Sequence, residues 1–367
     1  MPTRRTVLIL SASMGAGHDA AAAELARRLA VADVDAEVVD VLGLLPLRLG
    51  AALRGWYGWM MRSAPWMYAL IYRIFFVSGH AGSASPLTRL TAARLRGLLR
   101  RRPPDEVVSV FHLAAQAAGT LRERGLLPVP STVVLTDFAA HRLWLHPGND
   151  RYLCPDAATA RQVSAATGRP ASCYAPLVRP AFPRGAAQAR HGVGRRLVLV
   201  SAGAWGVGDV ERTARVLARS GRYLPVVLCG RNAGLRRRAR RAGGLALGWY
   251  EDMPGLMAAA YALVDNAAGL TSREAMASGL PIVTYRPIPG HGRDGVLAMA
   301  RAGLSVHART AAELLAALDR LDAGEGAETG NRDALFAAAP AESFFAAPLI
   351  SPAAETPSGG CAATETA

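Results

Sequence analysis

Apolar residues along this chain fall into short unbroken runs, and between the runs they recur at helical spacing. Residues 6–12, 36–41, 105–111 and 131–136 read as strands, with a helix over 19–29 after the first. The pattern then restarts. Residues 196–202, 224–229, 263–265 and 281–285 read as a second set of strands, and Val210, Ala214 and Leu217 mark one face of a helix after the first of them. Strands alternating with helices predict parallel sheets covered by helices. With 367 residues, the chain is too long for one ordinary core. The expectation is an α/β protein with two doubly wound, Rossmann-like domains, 1–182 and 190–322, joined by a stretch rich in Pro, Gly and Arg. Ligands of such sheets sit beyond the carboxyl ends of the strands, so two facing domains imply a cleft. Residues 323–367 carry six acids and one arginine among Ala, Pro, Gly, Ser and Thr, which predicts a disordered tail, with LFAAAPAESFF a stray helix.

Composition changes this picture little. A net charge of +14 invites a nucleic-acid reading. All 42 basic residues are arginine, however, so part of the charge is compositional and no nucleic-acid partner is expected. Cys154, Cys173, Cys229 and Cys361 form no CxxC pair, which fits a reduced, cytosolic compartment. No run of about 20 apolar residues predicts a spanning helix.

Candidate chemistry gathers at the ends of the predicted strands. SMGAGHDAAAAEL follows the first one. Gly15 and Gly17 make either a tight turn or a loop open to close approach by a ligand, with His18 projecting into the cleft as a proton acceptor. Gly15, Gly17 and Ala20, with Asp40 ending the next strand, also satisfy the dinucleotide fingerprint. LTDFAAHRLWLHP puts Asp137 and His141 just past another strand; Asp137 either orients a neighbouring group or caps a short helix with His141 on its surface. A metal set of His18, Asp137, His141 and His146 lacks recognised ligand spacing. SAGAWGVGD offers Gly203, Gly206 and Gly208 before a helix, a turn suited to phosphate; Asp209 would cap that helix if the turn is plain. In NAAGLTSREAMASGLP, Thr271 and Glu274 fit a capping box, and Glu274 equally suits a ribose diol. Residues 56–76 hold 8 of the 23 aromatics, broken by Arg62, Pro65 and Arg73. Trp56, Trp59 and Trp66 suit a membrane interface, and Arg100, Arg101 and Arg102 downstream suit an anionic leaflet. The alternative is a helical pair packed on the first domain.

Taken in order, GAGHDAAA, TDFAAHRLW, CGRN, GWYEDMPGLMAAA, GLTSREAMASGLP and PIPG resemble the monogalactosyldiacylglycerol synthase and processive diacylglycerol glycosyltransferase group, among the MurG-like family-28 glycosyltransferases. The resemblance spans about 6–320. It implies a GT-B fold and inverting transfer of a hexose from a UDP-sugar to a diacylglycerol-type lipid, without metal or other cofactor. It places the enzyme peripherally on the inner face of the plasma membrane, with UDP-sugar, lipid acceptor and anionic surface as partners. His18 is the expected base, with Asp137 next and His141 beside them. Gly203, Gly206, Gly230, Arg231, Asn232, Trp249, Met253, Gly269, Thr271, Glu274 and His291 are expected around the donor, with Glu274 on the ribose. Where the family reads K-P-G-G, this chain has Asn266-Ala267-Ala268-Gly269. Where it places Gln, Glu and Asn after P-G, this chain has His291, Gly292 and Gly295. The competing expectations are a non-catalytic nucleotide or lipid binder, a soluble acceptor, and a nicotinamide oxidoreductase.

Overall fold

The computed structural model describes residues 4–77, 85–182, 194–321 and 329–345. The amino-terminal lobe runs β1 (Thr6–Ser11), α1 (Ala16–Val31), β2 (Asp35–Asp40), α2 (Leu49–Ser63), α3 (Pro65–Ile71) and a π-type turn (Tyr72–Val77). It continues through α4 (Pro86–Arg101), β3 (Glu106–Ser109), α5 (His112–Glu123), β4 (Ser131–Val134), β5 (Arg151–Cys154), α6 (Ala157–Thr167) and β6 (Ala171–Cys173). Its strands lie in the order β2-β1-β3-β4-β5-β6, every pairing parallel. Side chains on both faces of β1, β3 and β4 are buried, as an interior parallel sheet requires.

The carboxyl-terminal lobe repeats the plan. It comprises β7 (Arg196–Ser201), α7 (Val210–Arg219), β8 (Tyr223–Leu228), α8 (Ala233–Arg240), β9 (Leu245–Leu247), α9 (Met253–Ala259), β10 (Ala262–Asp265), α10 (Leu270–Ala277), β11 (Ile282–Tyr285), α11 (His291–Arg301), β12 (Val306–Ala308) and α12 (Ala311–Arg320). The order is β12-β11-β10-β7-β8-β9, again wholly parallel. The sequence pattern located eight of the twelve strands to within two residues but did not mark β5, β6, β9 and β12, which are three or four residues long. The Pro-, Gly- and Arg-rich junction between the lobes is mostly outside the described residues.

Two expectations need correction. Residues 329–345 are ordered, not a loose tail: α13 (Thr329–Ala337) and a 3-10 turn (Ala341–Phe344) carry the chain back across the molecule. Leu335 joins a carboxyl-lobe cluster with Met299 and Leu304. Ala341 and Phe345 are fully buried with Val7, Ile9, Leu25 and Leu29 of the first lobe, and the Ala175 N–H donates to the Ala339 carbonyl at 2.9 Å. The apolar residues of AESFF find a core that only tertiary structure supplies. The rest of the predicted tail is outside the described residues.

The aromatic segment α2–α3 is not packed only on the first lobe either. Met60, Met61, Tyr68 and Tyr72 are buried against Val207 and Ile288 of the second. Its other face is open: Trp56, Trp59 and Trp66 are 46%, 50% and 70% exposed, with Leu70, Ile74 and Phe75 also exposed. Arg100, Arg101 and Arg102 are exposed but close the far end of α4, one 16-residue helix, or roughly 24 Å, from its start.

Replacing Phe345 by Ala is expected to destabilise the protein by about 3–5 kcal/mol, as for a fully buried aromatic. Chemical denaturation measures this, and an unchanged midpoint would mean that the returning segment is not part of the fold.

Candidate functional site

The carboxyl ends of the two sheets meet along a packed seam. The Trp205 indole, on the turn after β7, donates to the Met14 carbonyl after β1 at 3.1 Å. Buried Arg273 of α10 donates to the Thr136 carbonyl after β4 and lies 4.9 Å over the Phe138 ring. Gly15 and Gly17 stand at this crossing, where a Cβ would lie 3.7 Å from the Trp205 indole nitrogen and 3.9 Å from Leu270 Cβ, respectively.

On the amino-terminal side, α1 places His18 inward. Its Nδ1 is 3.1 Å from the Val110 carbonyl and 2.8 Å from the Thr136 hydroxyl, and Phe111 meets the ring edge-on at 5.0 Å. A carbonyl only accepts, so the bond to Val110 puts the proton on Nδ1 and leaves Nε2 with a free lone pair. Asp137 accepts the Trp144 indole N–H at 2.9 Å and caps no helix. Burial opposes its ionisation, but the imidazoles of His18, His141 and His291 and the indole N–H outweigh burial and hold its carboxyl at about 2. His141 is buried, not on a surface. It lies 3.8 Å from Asp137 among the rings of Phe76, His112 and Trp144, and among the described residues its Nδ1 has no partner. Burial lowers its pKa to about 4 despite Asp137, so it is neutral at pH 7. His146 belongs elsewhere, receiving the Gly148 N–H on Nδ1 at 3.0 Å near Thr120. Among the described residues no group of three or more His, Cys, Asp or Glu is arranged to hold a metal.

On the carboxyl-terminal side the two glycine motifs interlock. Gly206 and Gly230 have φ of 61° and 54°. A Cβ on Gly206 would lie 2.4 Å from the Cys229 carbonyl, and one on Gly230 2.4 Å from the Gly203 carbonyl; only glycine fits either place. Asn232 fastens the pair by donating to the Gly206 carbonyl at 2.8 Å while accepting the Leu235 N–H to cap α8. Asp209 does not cap α7 by its side chain; it pairs with Arg286 and Arg212. Arg231 lies 4.4 Å over the half-exposed Trp249 ring, and Met253 opens α9. Gly269 caps α10 through its backbone, which puts Thr271 inside the helix and rules out the capping box. Glu274 is instead 5% exposed and 3.5 Å from Arg179. Burial raises its pKa to about 7 against the opposing pull of Arg179. His291 begins α11 and shares the electrostatic surroundings of His18 and Asp137.

The site thus joins His18, Asp137 and His291; Glu274 directly follows Arg273 in α10 and turns to Arg179. His141 stands behind Asp137. The exposed arginines at 100–102 are at the other end of the lobe. Trp205, Arg273, Arg179, His112, Tyr68 and Tyr72 were not singled out from sequence; an isolated Trp within a glycine-rich turn was the one available signal among them. A cavity of about 490 Å³ lies on the hinge side, lined by Glu24, Arg28, Arg179, Phe336, Pro340 and Glu342, and holds neither His18 nor His291.

Two Rossmann-like lobes meeting at their strand ends define the GT-B glycosyltransferase architecture. The chain matches MurG of Acinetobacter baumannii with a TM-score of 0.55 at 13% identity, covering 94% of this chain and 98% of that one. It matches the glycotransferase of kitacinnamycin with a TM-score of 0.56 at 14% identity, over 91% and 94%, and TcCGT1, solved in complex with UDP, with a TM-score of 0.53 at 11% identity, over 91% and 94%. Within that architecture, residues 18–174 match the family model of monogalactosyldiacylglycerol (MGDG) synthase, the group its motifs resemble. The chain is 27% identical over 245 residues to the processive diacylglycerol beta-glucosyltransferases of Bacillus mycoides and Bacillus cereus. That match covers 62% of this chain and 62% of the relatives' length.

Because Glu274 binds its proton more tightly folded than unfolded, stability falls as pH rises from about 4.5 to about 7,. Glu274→Gln is expected to remove that slope. Denaturation midpoints at pH 5 and 7.5 measure it, and parallel curves for the two proteins would contradict the buried, protonated carboxyl.

Proposed function

We propose that the protein transfers a hexose, with inversion and without metal, from a UDP-sugar to a diacylglycerol-type lipid at a membrane surface. The observation that carries this reading is the apposition of His18 and Asp137 from one lobe with His291 from the other. An acceptor hydroxyl must lose its proton as it attacks the anomeric carbon. His18 takes it on Nε2, the nitrogen left free by the Nδ1 bond to Val110. Asp137, ionised and close by, stabilises the imidazolium through space. The Trp144 indole N–H holds Asp137 in place; His141, neutral and enclosed by rings 3.8 Å away, does not relay the proton. The leaving diphosphate lies against the backbone N–H groups of the Gly203–Gly206 turn, whose fixed dipoles replace a cation. Glu274 accepts the ribose hydroxyls, and Trp249 borders the base.

The lipid reading draws on the MGDG synthase match and on the open apolar face of α2–α3. That face sets three tryptophans where indoles favour the bilayer interface. No described helix is long and apolar enough to cross a membrane. The arginines at 100–102 add attraction from a distance, outside the aromatic contact.

Mass spectrometry of diacylglycerol vesicles incubated with UDP-glucose and UDP-galactose is expected to show a glycolipid product. His18→Ala should lower turnover by about 100-fold or more with UDP binding retained. Replacing Trp56, Trp59 and Trp66 together by Ala should abolish co-sedimentation with the vesicles and leave the melting temperature unchanged. UDP binding with no product from any common UDP-sugar would favour a non-catalytic binder instead.

A further inference from the structure

Tyr68 belongs to the amino-terminal lobe, where Tyr57 lies beside it, yet its hydroxyl also reaches a partner in the opposite one. The hydroxyl lies 2.5 Å from His291 Nδ1, with the His291 ring edge-on to the phenol at 5.6 Å. One turn on, Tyr72 donates to Asp294 at 2.8 Å. Both rings close on Gly290, which sits at φ 73°; a Cβ there would come within 2.8 Å of each ring. A side chain at 290 would therefore lever the tyrosines away from α11. Gly292 is closed as well, since a Cβ would lie 2.2 Å from Ile288. Of positions 291, 292 and 295, His291 alone has a polar side chain to present from the start of α11.

We infer that Tyr68 is a positioning residue for donor selection: it donates to His291 Nδ1, fixes the ring proton on Nε2, and so makes His291 a hydrogen-bond donor to a hydroxyl of the transferred sugar. The inference rests on the glycosyl-donor reading above. Burial favours it on both sides of the bond, keeping the Tyr68 phenol protonated and the His291 imidazole neutral. Among the described residues His291 Nε2 makes no hydrogen bond, and the ring's ionisable neighbours are Asp137, His18 and Asp294, so it faces the seam. Without the phenol, the neutral ring is free to carry its proton on either nitrogen and loses its fixed direction. A segment with an exposed apolar face thereby sets the polarity of a group in the other lobe.

The test is calorimetric titration of wild type, Tyr68→Phe, Tyr72→Phe and His291→Ala with UDP, UDP-glucose and UDP-galactose, each variant checked by its melting temperature. Tyr68→Phe is expected to weaken the preferred UDP-hexose by about five- to tenfold, one hydrogen bond's worth, while UDP stays within about twofold. His291→Ala should lose as much, and the double variant no more. Tyr72→Phe breaks the neighbouring latch without touching His291 and should preserve sugar-dependent affinity. Equal losses for UDP and UDP-hexose, no loss in Tyr68→Phe, or the same sugar-specific loss in Tyr72→Phe would overturn the inference and leave the donor reading standing. A wild-type protein that binds none of the three nucleotides would overturn both.

Discussion

The hydrogen bonds that cross the seam constrain everything else in this molecule. Trp205 reaches Met14, Arg273 reaches Thr136, and Tyr68 reaches His291. Each joins a group on a turn or helix of one lobe to a loop or helix start of the other. Parallel sheets place all their loops of one kind on one edge, so two such edges pressed together concentrate polar groups without the lobes having to interpenetrate. Arg273 shows how firmly this is done. Its buried guanidinium satisfies a backbone carbonyl across the seam and covers Phe138, a combination that suits Arg better than Lys.

Electrostatics divides the site into two parts. On the first lobe, burial keeps His141 neutral while Asp137 remains ionised, so a single carboxylate dominates the field around His18. On the second, burial holds Glu274 near the midpoint of its titration, with Arg179 as a cationic partner. A ligand that offers hydroxyls to Glu274 and negative charge to the Gly203–Gly206 turn would use both settings. The interlocked glycines fix that turn sterically, through close approaches that no side chain survives.

Much of this was legible in the sequence. The alternation of apolar runs and helical patterns pointed to two parallel sheets because interior strands are apolar on both faces. The short strands β5, β6, β9 and β12 were not legible, since three or four residues carry no period. The order of the motifs pointed to the family resemblance, and GAGH and TDFAAH do lie side by side across β1, β3 and β4. Local rules failed where long-range partners took over. Glu274 fits a capping box yet turns to Arg179, and Asp209 fits an N-cap yet turns to Arg286. FF at 344–345 looks like a remnant in a polar tail, but Phe345 is core. The role of Tyr68 depends on a partner 223 residues away, beyond any local pattern.

The returning segment has a mechanical consequence. Between the lobes the chain runs once after β6 and again between α13 and the Ala341–Phe344 turn. One connection would let the lobes swivel in any direction. Two connections, anchored by Ala175 against Ala339, leave mainly rotation about the line that joins them, as in a door hung on two pins. Rotation about that line is the one relative movement of the lobes that leaves both crossings unbroken.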